Sequence, residues 1–162
     1  NYAIYTVKIS DNFLNSKLQE IARYSVILQK KYNWIDRKNL NSTYLVWGDT
    51  SGLSTIKNIK NIDYVSEYRL YERIDPTLIK LLRDGQSASN IRIQIYNINK
   101  VKVDDKNDPL ISRFQNLNII LKSSPKSIKL ESSGIGLEYI VEADLDKLVN
   151  LIKKHPEIIL VF

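Results

Sequence analysis

The order of predicted strands and helices occurs twice along this chain, and that repeat restricts the possible folds more than any other feature. In the first half, the segment "YAIYTVKIS" alternates apolar and polar side chains as a β-strand does. A helix pattern, two strand patterns, a second helix pattern and a fourth strand pattern follow it. The second half, from "IRIQIYNI" onward, shows the same six patterns in the same order. Each half is therefore predicted to follow the order β-α-β-β-α-β.

This order is that of the ferredoxin-like fold, an antiparallel four-stranded sheet with two helices on one face. We predict an α+β chain of two tandem ferredoxin-like domains, residues 1–73 and residues 91–162. Residues 74–90 are predicted to form a helical linker. Its helix starts at Asp75-Pro76, a favoured beginning for a helix, and ends at Gly85 before the small polar run Gln86–Asn90.

Four local patterns give predictions that a structure can test. The segment "DYVSEYRLYERI", Asp63–Ile74, predicts one long fourth strand in the first domain. Proline lacks an N–H group, so the strand is predicted to be broken at Ser123–Pro125 by a turn or an edge kink. The segment "SGIGLE", Ser133–Glu138, has two glycines and predicts a turn. Asp108-Pro109 and Asp144 are each predicted to begin a helix.

Composition excludes several classes of protein. The chain of 162 residues is 43% hydrophobic and 26% charged, which is typical of a globular protein. The absence of cysteine excludes disulfides, thiolate metal sites and thiol nucleophiles. No apolar run reaches the roughly 18 residues of a membrane span. The net charge is +6, but the basic residues are scattered in ones and twos and form no stripe that would follow a phosphate backbone.

The sequence offers no catalytic constellation. The sole histidine, His155, follows Lys154 at the end of the last predicted helix, where a cation is favoured by the helix dipole. Asp104 and Asp105 stand between lysines in a predicted loop and indicate a solvated turn. No phosphate-binding loop, dinucleotide glycine pattern or calcium loop is present. We therefore predict no catalytic residues, no metal site and no cofactor. Asn41 begins a glycosylation acceptor triplet, and whether it is modified is left open.

Aromatic residues in the first half raise the question of RNA binding. Ferredoxin-like sheets often stack single-stranded RNA on exposed aromatic side chains. The candidates are Tyr5, Tyr44, Trp47, Tyr64 and Tyr68. The RNA-recognition signature is absent from the third predicted strand of both halves. The sequence therefore favours packing in a core or at a protein interface, and no nucleic-acid partner is predicted.

The chain ends on an apolar strand, "EIILVF", without a polar tail. An inner strand of a sheet, a segment that binds a partner, or a cut chain would each produce such an end. The segment "GLEYIVEADLDKLVNLIKKHPEIILVF" resembles the end of subtilisin-type protease propeptides. The matching residues are Leu145, Leu148, His155, Pro156, Ile158 and Val161. The segment "GDTSGLSTIKNIKNIDYVSEYRL" in the first half is similar to a degenerate copy of it.

This resemblance implies a non-catalytic pro-region that acts as inhibitor and intramolecular folding chaperone of a subtilisin-like serine protease. The protease domain would belong to the same precursor or act in trans, and the protein would be secreted to the cell surface or beyond. The resemblance also implies that Ile159, Leu160, Val161 and Phe162 bind in the protease cleft through backbone hydrogen bonds and alternating side chains. Family members carry further residues between the fourth strand and the cleavage point, and this chain does not.

Two alternatives of other classes remain open. One is a structural or protein-interaction module of an extracellular or surface-layer protein, which is expected to oligomerise on its own. The other is a small-molecule-sensing pair of regulatory domains, like the paired regulatory domains of metabolic enzymes. A sensor is expected to gain thermal stability when an amino acid or similar effector binds.

Overall fold

The computed structural model describes residues 1–131 and 134–162. The chain forms two compact units. Unit 1 contains residues 1–68 and 130–134, and unit 2 contains residues 69–129 and 135–162. Each unit has one antiparallel four-stranded sheet, so the predicted tandem ferredoxin-like fold is confirmed.

Unit 1 contains the first six elements. They are β1 (Tyr2–Ile9), α1 (Leu14–Ile21), β2 (Val26–Asn33), β3 (Lys38–Asp49), α2 (Thr50–Lys57) and β4 (Ile62–Glu67). The strand order is β2-β3-β1-β4, so the fourth strand pairs with the first, as the ferredoxin-like order requires. Alternate residues of the strands pack against the two helices in one core. Its buried members are Val7, Ile9, Ile21, Ile27, Tyr44, Val46, Leu53 and Ile56.

Unit 2 repeats this arrangement with one additional helix at its start. Its elements are α3 (Pro76–Leu81), β5 (Ser87–Tyr96), α4 (Pro109–Leu117), β6 (Ile120–Lys129), β7 (Ile135–Asp144), α5 (Leu145–Lys154) and β8 (Ile158–Val161). The strand order is β6-β7-β5-β8. The segment predicted as a linker contributes Ile74, Leu78 and Leu82 to the core of this unit, because these apolar side chains gain stability by burial there.

Aspartate side chains begin the helices at the predicted positions. Asp75 and Asp108 each precede a proline and accept a hydrogen bond from the backbone two residues ahead. Asp144 accepts one from the N–H of Lys147 at 2.9 Å. Each carboxylate satisfies an N–H group that the first turn of a helix leaves without a backbone partner. The predicted helix starts are therefore confirmed.

The predicted long strand Asp63–Ile74 is wrong, because β4 ends at Glu67. The chain turns through a short 3₁₀-helix at Leu70–Glu72, where the carboxylate of Glu72 accepts the N–H of Arg69 at 2.6 Å. This local hydrogen bond competes with strand pairing, which alternation of side chains cannot reveal.

The predicted irregularity at Ser123–Pro125 is an edge kink and not a turn. β6 runs through these residues, and its register with β7 shifts between Leu121 and Ser123 and again between Ser123 and Lys126. Such bulges at an edge strand accommodate a residue that cannot donate a hydrogen bond. The predicted turn at Ser133–Glu138 begins outside the described residues, and it is wrong from Ile135 onward, where β7 begins.

The two sheets place matching residues at matching positions. Val7 of β1 pairs with Tyr44 on β3 and with Val65 on β4. Ile93 of β5 pairs with Tyr139 on β7 and with Val161 on β8. Tyr44 therefore corresponds to Tyr139, and Val65 corresponds to Val161.

Candidate functional site

The four C-terminal residues, which the sequence placed in a protease cleft, belong to the sheet of unit 2. Ile159 and Val161 are fully buried and Leu160 is 8% exposed. On the inner edge, the N–H of Arg92 donates to the carbonyl of Phe162 at 2.7 Å, and the N–H of Phe162 donates back at 3.0 Å. This side of the segment is therefore bound to β5.

The outer edge of β8 is covered by a second segment of unit 2. The N–H of Val161 donates to the carbonyl of Arg73 at 2.8 Å, and the N–H of Asp75 donates to the carbonyl of Val161 at 2.9 Å. The buried guanidinium of Arg73 donates to the carbonyls of Pro156 and Ile158 at 2.9 and 2.7 Å. The terminal strand is therefore held on both edges, and its release would break these hydrogen bonds and expose apolar side chains.

A buried hydrogen bond joins β7 to the start of α4. The hydroxyl of Tyr139 donates to Oδ2 of Asp108 at 2.5 Å, while Oδ1 accepts the N–H of Leu110 at 2.9 Å. Burial, and then the hydrogen bond to Asp108, raise the pKa of Tyr139 above its ordinary value. The phenol stays protonated as a donor, so this pair fixes structure rather than exchanging protons.

His155 directly follows the last residue of α5, as predicted, and it is 9% exposed. The Nε of Arg113 donates to Nε2 of His155 at 3.3 Å, and Nδ1 of the ring lies 3.4 Å from the carboxylate of Glu157. The imidazole is therefore a packed connector between Arg113 and Glu157.

The aromatic residues considered for RNA do not share one environment. Tyr44 belongs to the core of unit 1, and Trp47 and Tyr68 are also buried. Tyr64 is 47% exposed. Three of the five rings are therefore closed to a stacking base.

Unit 2 has a cavity of about 250 Å³ between the segment that follows α3 and the start of α5. Its apolar lining comes from Ile79, Leu82 and Leu145. Its polar lining comes from Arg83, Asp84, Gly85, Asp144 and Asp146.

The charged residues that line this cavity differ in whether they already have a partner. Asp144 accepts a hydrogen bond at the start of α5. Arg83, Asp84 and Asp146 are exposed, and the left-handed backbone at Asp84 and Gly85 turns the chain at the end of α3. The cavity therefore combines an apolar floor with a cation and acids at its rim. The only sequence signal for it was the helix-ending Asp84-Gly85, which does not show that Asp146 lies nearby.

Unit 1 has a smaller cavity of about 160 Å³ between α2 and β4. Its lining residues are Tyr5, Thr50, Leu53, Ser54, Lys57, Val65, Ser66 and Glu67. Within the described residues, no group of three or more histidine or acidic side chains is placed to hold a metal ion. No helix in the same part of the chain is both long and apolar enough to cross a membrane.

Comparison with solved structures gives distant structural likenesses. No family model matches the chain, and no curated protein matches it. The crystal structure of the acetolactate synthase small subunit from Thermotoga maritima is similar over 100% of this chain and 92% of that one. The sequence identity is 12% and the TM-score is 0.27.

The prediction of an inhibitory protease pro-region is wrong. The strand that the prediction placed in a protease cleft has its backbone groups bound on both edges within unit 2. The matched apolar spacing is that of a helix and strand packed in a core, which any ferredoxin-like unit requires.

Proposed function

We propose that this chain is a non-catalytic paired regulatory domain that senses a small zwitterion, such as a free amino acid, in the cavity of unit 2. The observation that carries the proposal is the rim of that cavity, where Arg83 lies with Asp84 and Asp146 above an apolar floor. A guanidinium is a good partner for the carboxylate of an amino acid, and the acids suit its ammonium group. The apolar floor suits its side chain.

The size of the cavity and the exposure of its charges set the expected affinity. Ion pairs at exposed side chains contribute little, about 0–1 kcal/mol each. Most of the binding free energy must therefore come from apolar burial. At roughly 0.5 kcal/mol per non-hydrogen atom, an amino acid of about nine such atoms binds with a Kd on the order of 0.5 mM. That affinity suits a sensor of a metabolite that accumulates to millimolar concentration.

The titratable groups of the unit 2 core support a role without catalysis. Asp108 and Tyr139 bind each other, and His155 lies between Arg113 and Glu157. None of these five residues lines either of the two cavities described above. A substrate in those cavities would therefore not meet them.

The test is a thermal-shift screen of the protein against each of the common amino acids at 10 mM, followed by calorimetric titration of any that raise Tm. With a Kd of about 0.5 mM, binding adds about 1.8 kcal/mol to the free energy of unfolding. That corresponds to a rise in Tm of about 7–14 °C for a unit of this size.

Two variants locate the binding. Arg83→Gln and Asp146→Asn are each expected to weaken binding by up to about fivefold and so to reduce the Tm shift to about half of its original size, while Lys80→Gln, an exposed change outside the cavity, should preserve it. The proposal fails if no amino acid raises Tm, or if the shift survives both rim substitutions.

A further inference from the structure

The two units differ at one edge of their sheets, the outer edge of the fourth strand. Val65 on β4 corresponds to Val161 on β8, and both strand pairs have a register shift at the matching place. In unit 2 the outer edge of β8 is covered by Arg73–Asp75, and Ile74 forms a parallel bridge with Val161. In the described part of the chain, the backbone hydrogen bonds of Asp63–Glu67 are made to β1. The outer edge of β4 therefore corresponds to the outer edge of β8, which unit 2 covers with a segment of its own chain.

The outward groups of β4 follow from its pairing. The N–H of Tyr68 donates to the carbonyl of Ile4 at 3.3 Å, so these two residues are a hydrogen-bonded pair. Along an antiparallel pair, successive residues point their backbone groups alternately toward and away from the neighbouring strand. Val65 and Glu67 therefore direct their N–H and carbonyl groups outward.

The cavity of unit 1 lies beside this edge. It is lined by Leu53 on α2 and Val65 on β4. In unit 2, Ile74 lies beside Val161, the counterpart of Val65, and is fully buried in the same core as Leu148 of α5. The cavity of about 160 Å³ in unit 1 therefore lies beside the strand position at which unit 2 carries Ile74.

We propose that the outer edge of β4 binds an extended peptide that runs parallel to β4 and places a branched apolar side chain in this cavity. A basic residue before the apolar one would reach the carbonyls of Lys60 and Ile62. These correspond to the carbonyls of Pro156 and Ile158 that accept from Arg73 in unit 2. This inference concerns a different unit and a different class of ligand from the amino-acid site.

Charge complementarity extends the recognition to the residue after the apolar one. That residue would lie beside Ser66 and Glu67 because the peptide runs parallel to β4. Glu67 is exposed and makes no ion pair among the described residues. A lysine or arginine there is attracted to this carboxylate, whereas an acid is repelled. The ligand is therefore a segment of the pattern basic–branched apolar–basic.

A peptide fits this edge better than a second copy of the chain. Antiparallel pairing of two β4 strands about Val65 would set Asp63 of each copy opposite Glu67 of the other. Like charges directly opposite each other destabilise a strand pair. Asp63 is also engaged, since its carboxylate accepts the hydroxyl of Ser10 at 2.7 Å.

The probe is a labelled peptide with the sequence of residues 70–76, "LYERIDP", because this segment already occupies the matching edge of unit 2. Two further peptides carry the changes Asp75→Lys and Ile74→Ser. Each is titrated into the full-length, isotopically labelled protein, and amide chemical shifts locate the binding. Shifts are expected at Leu53, Val65 and Glu67.

The proposal predicts an order of affinities. The peptide with Asp75→Lys should bind about two- to fivefold more tightly than the original, as an exposed charge pair allows. The peptide with Ile74→Ser should bind at least about tenfold more weakly, because the apolar contact is lost. In the protein, Glu67→Gln should remove the preference for lysine, and Asp36→Asn in the same unit should not.

Several results would overturn the proposal. They are the absence of any shift at millimolar peptide, shifts at β8 in place of β4, and equal binding of the serine peptide. Light scattering without peptide could also give the molecular mass of a dimer, with β4 protected from hydrogen exchange. That result would assign the edge to a second copy of the chain instead. Val65→Pro, which removes an outward N–H at an edge strand, should abolish binding while the remaining amide spectrum is retained.

Discussion

The substitution Tyr139→Phe tests whether the buried hydrogen bond to Asp108 is a structural tie. It removes one oxygen and keeps the ring, which packs edge-on against Phe114 with 5.4 Å between ring centroids. Oδ2 of Asp108 then loses its donor in a site where that side chain is 3% exposed. Oδ1 keeps its bond to the N–H of Leu110, so the start of α4 is preserved.

The magnitude follows from these contacts. A hydrogen bond to a charged group contributes about 1.5–3 kcal/mol to stability. A buried acceptor left without a donor costs its full desolvation penalty. We therefore expect the free energy of unfolding of unit 2 to fall by about 2–3 kcal/mol. Tyr44→Phe is the matched control, because Tyr44 holds the corresponding position in unit 1. Its cost is expected to be under about 1 kcal/mol, as no hydroxyl bond of this kind is made there within residues 1–131 and 134–162.

The assay separates the two units by their chromophores. Both tryptophans, Trp34 and Trp47, lie in unit 1, so their fluorescence follows that unit during urea unfolding. Far-ultraviolet circular dichroism follows the strands and helices of both units. Tyr139→Phe should move the circular dichroism transition to lower urea. A loss under about 0.5 kcal/mol, or an equal loss from Tyr44→Phe, would refute the reasoning, because a buried charged acceptor cannot lose its donor at so small a cost.

Four further outcomes follow from single features. Because burial holds the pKa of Tyr139 above its ordinary value, the contribution of Tyr139 to stability should be constant below pH ~10. Above that pH it should fall by up to about 1.4 kcal/mol per pH unit, a slope that Tyr139→Phe should reduce in alkaline urea titrations. Deleting residues 159–162 removes three buried side chains that stabilise the fold by about 1.5–3 kcal/mol each, so the dispersed amide spectrum of unit 2 should be lost. A folded unit 2 would contradict the description of this segment as part of the core. Asp144→Ala should lower the unfolding free energy by about 1 kcal/mol, and Asp144→Asn by less, in urea titrations. Gly52→Ala should cost about 1–3 kcal/mol despite the better helix propensity of alanine, because its Cβ would overlap the carbonyl oxygen of Tyr24; an unchanged Tm would contradict that packing.

The sequence predicted the elements whose signals are local. The helix starts at Asp108 and Asp144 depend on a carboxylate within three residues of the N–H that it accepts. The strands follow from alternation over a few residues. The end of β4 at Glu67 could not be predicted in this way, because the segment after it alternates equally well. Its departure from the strand depends on the bond between Arg69 and Glu72.

The candidate sites could not be predicted from local signals. Arg83 and Asp146 line one cavity but are far apart in the chain. The segment Arg73–Asp75 was assigned to a long strand and a linker, whereas its bonds are with Val161. The protease resemblance arose from residues whose spacing is set by core packing, so it carried information on the fold and not on the partner.

The segment Arg73–Asp75 has a further consequence for solubility. An unpaired edge strand is a template on which other molecules add strands and form fibrils. Unit 2 shields the edge of its fourth strand permanently, with its own chain. In unit 1 the matching edge carries Asp63 and Glu67, whose charges oppose the addition of further strands. Aggregation that begins at a fourth strand should therefore start in unit 1, and neutralising those two acids would remove the barrier while leaving unit 2 protected.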